Sequence, residues 1–256
     1  MKKIELASYL DKRYRFENCE DWDFCGYRCN ERLQDELTNV LVALDVNDLT
    51  INEAIANNCN LIVSHHPIFF DKESQYIVDK TNINLISRLR ENKILNITLH
   101  TCFDRDKFGT SYQIMKKIEN KIKISSFKRE KYLVFCELVK PMKFKKFLKK
   151  LSSTYFSEIR YMEPNLDKMI KTICIGAGSC ASMIEDVIGK CDCFLTGDVK
   201  WHKYLDSYNC DLSIIDINHD AENVFFEAIK NEINKKFKDL EVFTTKANLK
   251  IHTISK

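Results

Sequence analysis

Three stretches of the sequence place metal-ligating side chains directly after an apolar run. Leu61-Ile62-Val63-Ser64 leads into His65-His66 and is followed by Pro67. Lys93–Leu99 leads into His100-Thr101-Cys102-Phe103-Asp104, and Leu212–Ile217 leads into Asn218-His219-Asp220-Ala221-Glu222. Short apolar runs with such boundaries read as buried strands. Pro67 has no amide N–H, so a central strand is not expected to continue through it. In open α/β sheets ligands gather at the carboxyl edge. Adjacent histidines there can face two sides of one cavity and serve two different ions. Taken alone, Leu61–Phe70 fits a metal site and a surface turn holding two imidazoles about equally. The three stretches together use four of the six histidines. Six ligand-type groups are what two ions need if each takes three protein ligands and keeps an open position. Histidine with carboxylate favours zinc, iron, manganese or cobalt over calcium or magnesium.

The elements that must position these groups follow an α/β rhythm. Residues 1–16 have a loose helical face of Ile4, Leu6, Tyr9, Leu10 and Tyr14. Asp21–Tyr27 is an aromatic turn in which Trp22 reads as buried packing, or as lining the cleft. Thr38–Asp45 is a strand ending in an acid. Leu49–Asn58 is a helix capped by Asp48 or Thr50, with Glu53 completing the capping pattern. With Leu61–Ser64 this makes a β-α-β unit, whose strands are expected to be parallel. A helix at 82–92, the strand 93–99 and a helix from Ser111 to Asn120 follow. Tyr132–Val139 reads as a strand and Ile159–Tyr161 as a short one. Lys143–Lys150 reads as an amphipathic helix: Phe144, Phe147, Leu148 and Leu151 share one face, and the lysines cover the rest as a solvated surface. An anionic partner is the lesser reading of those lysines. After Thr172–Ile175, the turn Gly176-Ala177-Gly178-Ser179 leads into a helix over Cys180–Ile188. It reads as a plain junction more readily than as a phosphate loop. Phe194–Asp198 ends a strand in an acid, Trp201–Tyr208 is helical, and a helix at Val224–Lys235 precedes a last strand at Val242–Thr245. The organisation read from this is one domain over 1–256, with halves at 1–120 and 171–256 and a short connecting insert at 121–170.

Composition narrows the class. Lys+Arg 40 against Asp+Glu 37 gives a formal charge of +3, which argues against nucleic acid as the main partner. Apolar residues at 45% allow a sizeable core, and 6 Gly with 3 Pro argue against long flexible linkers. The cysteine count of 11 is odd, the spacing is irregular, and Met1-Lys2-Lys3-Ile4-Glu5 does not read as a secretory leader. Cys59, Cys136 and Cys174 sit in apolar contexts that suit small buried hydrophobes. Cys191/Cys193 and Cys25/Cys29 are minor metal candidates. A reducing cytoplasm is the expected compartment. No run approaches the ~18 apolar residues of a membrane span.

The motifs resemble those of the Nif-three-like family (Ngg-one-interacting-factor-three-like), whose members are also called GTP cyclohydrolase 1 type 2 homologues. Leu61–Pro67 with His65-His66-Pro67 resembles the family signature. Trp22-Asp23-Phe24-Cys25-Gly26 is similar to its N-terminal Trp-Asp-x-x-Gly, and Val42–Asp45 to its first long strand. His100–Asp104 resembles its His-Thr-x-x-Asp, Thr196–Lys200 its Thr-Gly-Asp/Glu stretch, and Asp216–His219 its C-terminal histidine motif. The likeness covers nearly the whole chain in order. It implies an α/β fold of two halves with mixed or parallel sheets around a dinuclear metal cleft, and assembly as a homohexameric ring. It also implies His65, His66, His100, Asp104, His219 and Glu222 as ligands of two divalent transition-metal ions (zinc, iron or manganese). One departure is that many members place the last Glu four residues after the His, where this chain has Asn223. Glu222 lies at three, on the same helical face, and Asp220 is the lesser substitute. The stretch 121–170 is too short for the large inserted domain of many members.

The function expected is a metal-dependent hydrolase that uses a metal-bridged water of lowered pKa on a nucleotide-like or phosphate-bearing substrate. Asp45, Asp198 and His202 are candidate proton carriers or partners of the ligands, and equally candidate capping or surface residues. The alternative is a non-enzymatic metal-binding or regulatory oligomer. A nucleic-acid module using the 143–150 lysines is disfavoured by the small net charge.

Overall fold

A computed structural model describes residues 1–27, 30–69, 82–154, 156 and 158–247. In chain order the elements are α1 (Lys3–Tyr14), β1 (Gly26–Tyr27), β2 (Asn39–Ala43), α2 (Asp48–Ala56), β3 (Cys59–Ser64), α3 (Ile83–Glu91), β4 (Leu95–Thr98), α4 (Thr101–Asp104) and α5 (Thr110–Glu119). They continue with β5 (Ile124–Glu130), β6 (Leu133–Lys143), α6 (Phe144–Leu151), β7 (Arg160–Met162), β8 (Met169–Gly176), α7 (Ile184–Val187), β9 (Cys193–Thr196), α8 (Trp201–Asn209), β10 (Ser213–Asp216), α9 (Val224–Lys236) and β11 (Val242–Thr244). The chain forms two compact units. One comprises Met1–Phe103 and the chain from Phe225 onward, and the other Asp104–Val224.

The first unit is built on a five-stranded sheet of order β1-β4-β3-β2-β11. β2, β3 and β4 are mutually parallel neighbours, as the β-α-β reading requires, and β1 adds antiparallel to β4. Val40, Val42, Leu61, Val63, Leu95 and Ile97 point to one face and pack with Leu6 and Leu10 of α1 and Phe225 and Ile229 of α9. Leu41 and Ile62 point to the other face, against Ile51 and Ala54 of α2 and Leu89 of α3. A strand buried on both faces must be apolar at every position, so these runs show no alternation. The cap of α2 is Asn47 rather than Asp48 or Thr50. Its Oδ1 accepts from Leu49 N and Thr50 N, while Thr50 Oγ1 accepts from Asn47 N. The extended backbone of Asn47 lets its side chain reach these amides, whereas Asp48 and Thr50 are already helical.

The second unit holds a six-stranded mixed sheet of order β5-β6-β8-β9-β10-β7. β8, β9 and β10 are parallel neighbours; β5, β6 and β7 join antiparallel. β5 is an edge strand, exposed over Ser125–Lys128. Its polar sequence follows from that and carries no strand signature. α6 forms as its apolar spacing predicts, with Phe144, Phe147 and Leu151 buried, each worth about 1.5–3 kcal/mol of burial. The helix expected over Cys180–Ile188 is instead a 3₁₀ turn, Cys180–Met183, followed by the single turn α7. No disulfide joins any two of the described cysteines. Cys59, Cys136 and Cys174 are buried in the core. Among the described residues no helix is long and apolar enough to cross a membrane.

α1 is held to α9 by a polar contact inside an apolar seam. The buried Glu232 accepts from Tyr9 Oη at 2.7 Å and from Lys235 Nζ at 2.8 Å, and lies 3.6 Å from Arg13 Nε. Burial pushes the Glu232 carboxyl up, but Lys235, Tyr9 and Arg13 outweigh it and hold it below the ordinary value. Burial and the same carboxylate push the Tyr9 hydroxyl up to about 12. A carboxyl held low in the folded state contributes stability that is complete above its unfolded pKa and is lost as pH falls through its folded one. Glu232→Gln is therefore expected to lower stability by about 1–3 kcal/mol near neutral pH. The gap from wild type should close as the pH is taken below about 4, as read by urea midpoints across pH.

Candidate metal centre

In the first unit the three parallel strands end side by side, and each delivers a polar residue just past its last paired position. β2 leads to Asp45, β3 to His65 and His66, and β4 to His100. Backbone pairing continues beyond the strands: His65 N donates to Ala43 O (3.1 Å), His66 N to Leu44 O (2.9 Å) and Leu99 N to Ser64 O (2.9 Å). Ser64 Oγ adds a bond to His66 O at 2.9 Å. The two histidines therefore leave the sheet in fixed positions. The three imidazoles come together with ring centroids 4.9 Å (His65–His66), 5.2 Å (His65–His100) and 5.6 Å (His66–His100) apart. One ligand nitrogen from each lies within 4.8 Å of the others. His65 is fully buried, with its ring against Phe225 at 4.9 Å and Phe103 at 6.2 Å.

Each ring is oriented through Nδ1. His65 Nδ1 lies 2.9 Å from Leu99 O, His66 Nδ1 2.8 Å from Asp45 Oδ1, and His100 Nδ1 2.8 Å from Asp23 Oδ1. Carbonyl and carboxylate oxygens only accept, so a proton sits on Nδ1, and in the neutral imidazole the lone pair is then on Nε2. This is how proteins orient histidines that bind metals. Asp23 is fully buried, and its Oδ2 accepts from Thr101 N at 3.1 Å and from Thr101 Oγ1. Burial pushes the Asp23 carboxyl up, yet His100 and Thr101 more than offset this and hold it low, so it stays ionised opposite the imidazole. Asp23 stands in the Trp22-Asp23 motif, but its contact with His100 had no signal in the sequence. Trp22 is not buried packing: it is 59% exposed, edge-on to His100 at 6.0 Å. The turn at 21–22 carries its side chain outside the apolar seam.

The second unit repeats the device. β8, β9 and β10 end side by side and lead to Gly176-Ala177-Gly178, to Asp198, and to His219 with Glu222. His219 Nδ1 lies 2.8 Å from Asp198 Oδ2, which again leaves Nε2 as the ligand atom, and Glu222 Oε2 is 3.4 Å from it. The Glu spacing of three has a geometric explanation. His219–Asn223 is a 3₁₀ turn, in which side chains at i and i+3 eclipse. Two non-glycine residues with positive φ frame the pair, Asp198 at φ +50 and Asn218 at φ +65. Such conformations cost on the order of 1–3 kcal/mol and persist where the surroundings enforce them. Here Asn218 Oδ1 accepts from His219 N (2.7 Å), and Asn218 N donates to Asp216 Oδ1 (2.9 Å). Asp104 accepts from the Thr110 hydroxyl. Burial, with Asp104 and Glu222 facing it, pushes the Cys180 thiol up. His202 is exposed on α8.

The structure thus gathers His65, His66 and His100 in one unit, and His219 with Glu222 in the other. Asp45 and Asp198 act as partners of imidazoles. The donor set, imidazole Nε2 with carboxylate oxygen, fits a divalent transition metal such as zinc, iron or manganese. Of the cysteine candidates, Cys29 lies outside the described residues, and Cys193 is buried within β9.

The profile of the Duf34/NIF3 (NGG1p interacting factor 3) family matches residues 1–250. A protein of Ureaplasma parvum serovar 3 named GTP cyclohydrolase 1 type 2 homolog is 33% identical over 240 residues, covering 92% of this chain and 90% of that one. A protein of the same name from Mycoplasmopsis pulmonis is 30% identical, covering 91% and 93%. Among solved structures, Staphylococcus aureus protein SA1388 superposes with a TM-score of 0.83 at 24% identity, covering 100% of this chain and 99% of that chain. Thermus thermophilus TTHA1606 gives 0.81 at 16% identity, covering 98% and 100%. These structures bear out the mixed α/β fold.

Gly178 makes room for Glu222. Its φ is +56, its carbonyl accepts from Gly197 N (2.8 Å) and Thr196 Oγ1 (3.2 Å), and a Cβ there would overlap Glu222 Oε1. Gly189 also has a left-handed backbone, φ +74, but a Cβ there would meet nothing within 4 Å. Both Gly→Ala changes carry a backbone cost of about 1–2 kcal/mol. Only Gly178→Ala must also move a carboxylate, so its loss in denaturant-unfolding free energy is expected to exceed that of Gly189→Ala.

Proposed function

The chain belongs to the Duf34/NIF3 (NGG1p interacting factor 3) family, and from that premise we propose a dinuclear metal-dependent hydrolase acting on a nucleotide-like or phosphate-bearing substrate. Two divalent transition-metal ions would be held by His65, His66, His100, Asp104, His219 and Glu222. The observation that carries this reading is the repeated orientation of imidazoles. Each of the four histidines has Nδ1 within 2.8–2.9 Å of a carbonyl or carboxylate oxygen, which leaves Nε2 to ligate. Surface histidines have no reason to share one tautomer. When bound, such ions supply Lewis acidity and a water of lowered pKa.

The residues around the ligands have distinct tasks in this reading. Asp45, Asp23 and Asp198 stabilise the neutral Nδ1–H tautomers and raise the basicity of Nε2. Asp45 and Asp198 are about half exposed and can pass protons to solvent. Fully buried Asp23 holds His100 without exchanging with water. The relatives' name, GTP cyclohydrolase 1 type 2 homolog, makes purine nucleotides the first substrates to try.

The test is metal analysis of protein purified without a histidine tag, followed by turnover on nucleotides and phosphoesters. Wild type is expected to hold two ions per chain. His66→Ala should lose metal and turnover together, and Asp45→Asn should weaken metal binding about 10–100-fold while leaving the ligands in place. Turnover surviving in His66→Ala would overturn the hydrolase reading. Two ions with no turnover on the whole panel would make the chain a non-enzymatic metal-binding protein.

A further inference from the structure

We infer that Cys19, Asp23 and Cys25 form a separate site for a thiophilic cation of the zinc type, distinct from the histidine set. One donor atom from each lies within 4.8 Å of the others, and Cys25 Sγ is 3.8 Å from Asp23 Oδ2. Around a tetrahedral zinc, bonds of about 2.3 Å to sulfur and 2.0–2.2 Å to oxygen put sulfurs about 3.8 Å apart and sulfur about 3.5 Å from oxygen. The present spacing therefore needs to close by no more than about 1.3 Å.

The chain builds this cluster locally. The 3₁₀ turn Phe16–Asn18 is closed by Cys19 N donating to Phe16 O at 3.3 Å, and Asp23 N donates to Glu20 O at 3.0 Å. Gly26, at φ +101, bends the chain next to the Phe16 ring, where a Cβ would be only 3.0 Å from Cδ2. These turns bring residues 19 and 25 to the same carboxylate. Asp23 is fully buried and Cys25 is 9% exposed, while Cys19 is half-buried and gives a cation a way in. Cys25 and Cys19 also pack against apolar side chains, but both lie beside the Asp23 carboxylate, whereas Cys136 and Cys174 sit in core clusters of aliphatic and aromatic side chains, as packing alone explains.

Donor chemistry separates the two sites. Two thiolates select zinc, cadmium or copper(I), whereas imidazole with carboxylate accepts a wider range. Binding would release the two thiol protons to solvent and form two metal–sulfur bonds, with no change of oxidation state. Asp23 belongs to both neighbourhoods, since Oδ1 faces His100 and Oδ2 faces Cys25 while accepting from Thr101 N and Oγ1, so a cation on Oδ2 must displace a Thr101 hydrogen bond. Filling the thiolate site would therefore draw on the carboxylate that orients a histidine of the other set.

Cobalt(II) titration of the apoprotein tests this, because sulfur-to-cobalt charge transfer gives a near-ultraviolet band that nitrogen and oxygen ligands do not. The band is expected in wild type and in His66→Ala, and should be lost in Cys19→Ser and in Cys25→Ala. Cys136→Ser should keep it. No such band in wild type, or an undiminished band in Cys19→Ser, would overturn the site even if cobalt binds to the histidines. A band without nitrogen- and oxygen-bound cobalt would instead count against the dinuclear reading alone. If Cys25→Ala does not fold, alkylation of wild type decides. Zinc beyond the two ions of the histidine set should protect the half-buried Cys19 from iodoacetamide, as followed by mass spectrometry, and equal labelling of Cys19 with and without that zinc would overturn the site.

Discussion

Parallel pairing is the constraint on which both units depend. Adjacent parallel strands that run in register must finish on the same rim. β2, β3 and β4 do so in the first unit and β8, β9 and β10 in the second. Each set therefore delivers the residues that follow its strands to one line. For three of the four imidazoles the partner then comes from the next strand end, while His100 takes Asp23 from the loop before β1. Asp45 after β2 meets His66 after β3, Leu99 O after β4 meets His65, and Asp198 after β9 meets His219 after β10. The hydrophobic burial that makes these strands apolar on both faces is also what fixes the polar residues beyond them.

The polar contacts at these rims are directional. A carboxylate or carbonyl beside Nδ1 sets the tautomer, and backbone bonds such as His65 N to Ala43 O and His66 N to Leu44 O hold the rings where the tautomer matters. In the second unit the chain accepts positive φ at Asp198 and Asn218 to reach the same end. Asn218, with ψ 163, lies outside the αL region that asparagine and aspartate tolerate. The side chain of Asn218 then recovers part of the cost by accepting from the amide of His219. Gly178 contributes by what it lacks, since any Cβ would occupy the place of the Glu222 carboxylate.

Charge placed in the interior follows the same logic. Asp23 survives full burial because His100 and Thr101 surround it, and Glu232 because Tyr9, Lys235 and Arg13 do. Lys3 is a counterpart of opposite sign. Its side chain is fully buried, burial pulls its pKa down, and its ammonium donates to Lys93 O at 2.8 Å with Asp35 at 3.6 Å. None of these can be read from hydropathy, because each depends in part on residues distant in sequence.

The sequence by itself determined the strands that matter and the residues at their ends. β2, β3, β4, β8, β9 and β10 are short apolar runs, and His65, His66, His100 and His219 follow them directly. The amphipathic helix α6 was equally legible, because its periodicity is a local property. What only the tertiary structure decided lies where the cause is remote or the signal is absent. β5 is polar because it is an edge, and Trp22 is exposed because the turn faces away from the core. The third-residue spacing of Glu222 works because a 3₁₀ turn replaces an α-helix there. The opening stretch, His65-His66-Pro67, fitted a turn as well as a ligand pair. Leu99 O, Asp45 and His100, all supplied by other strands, gave its imidazoles their orientation. Sequence can place a histidine at a strand end, but the nitrogen it presents depends on what the neighbouring strand brings beside it.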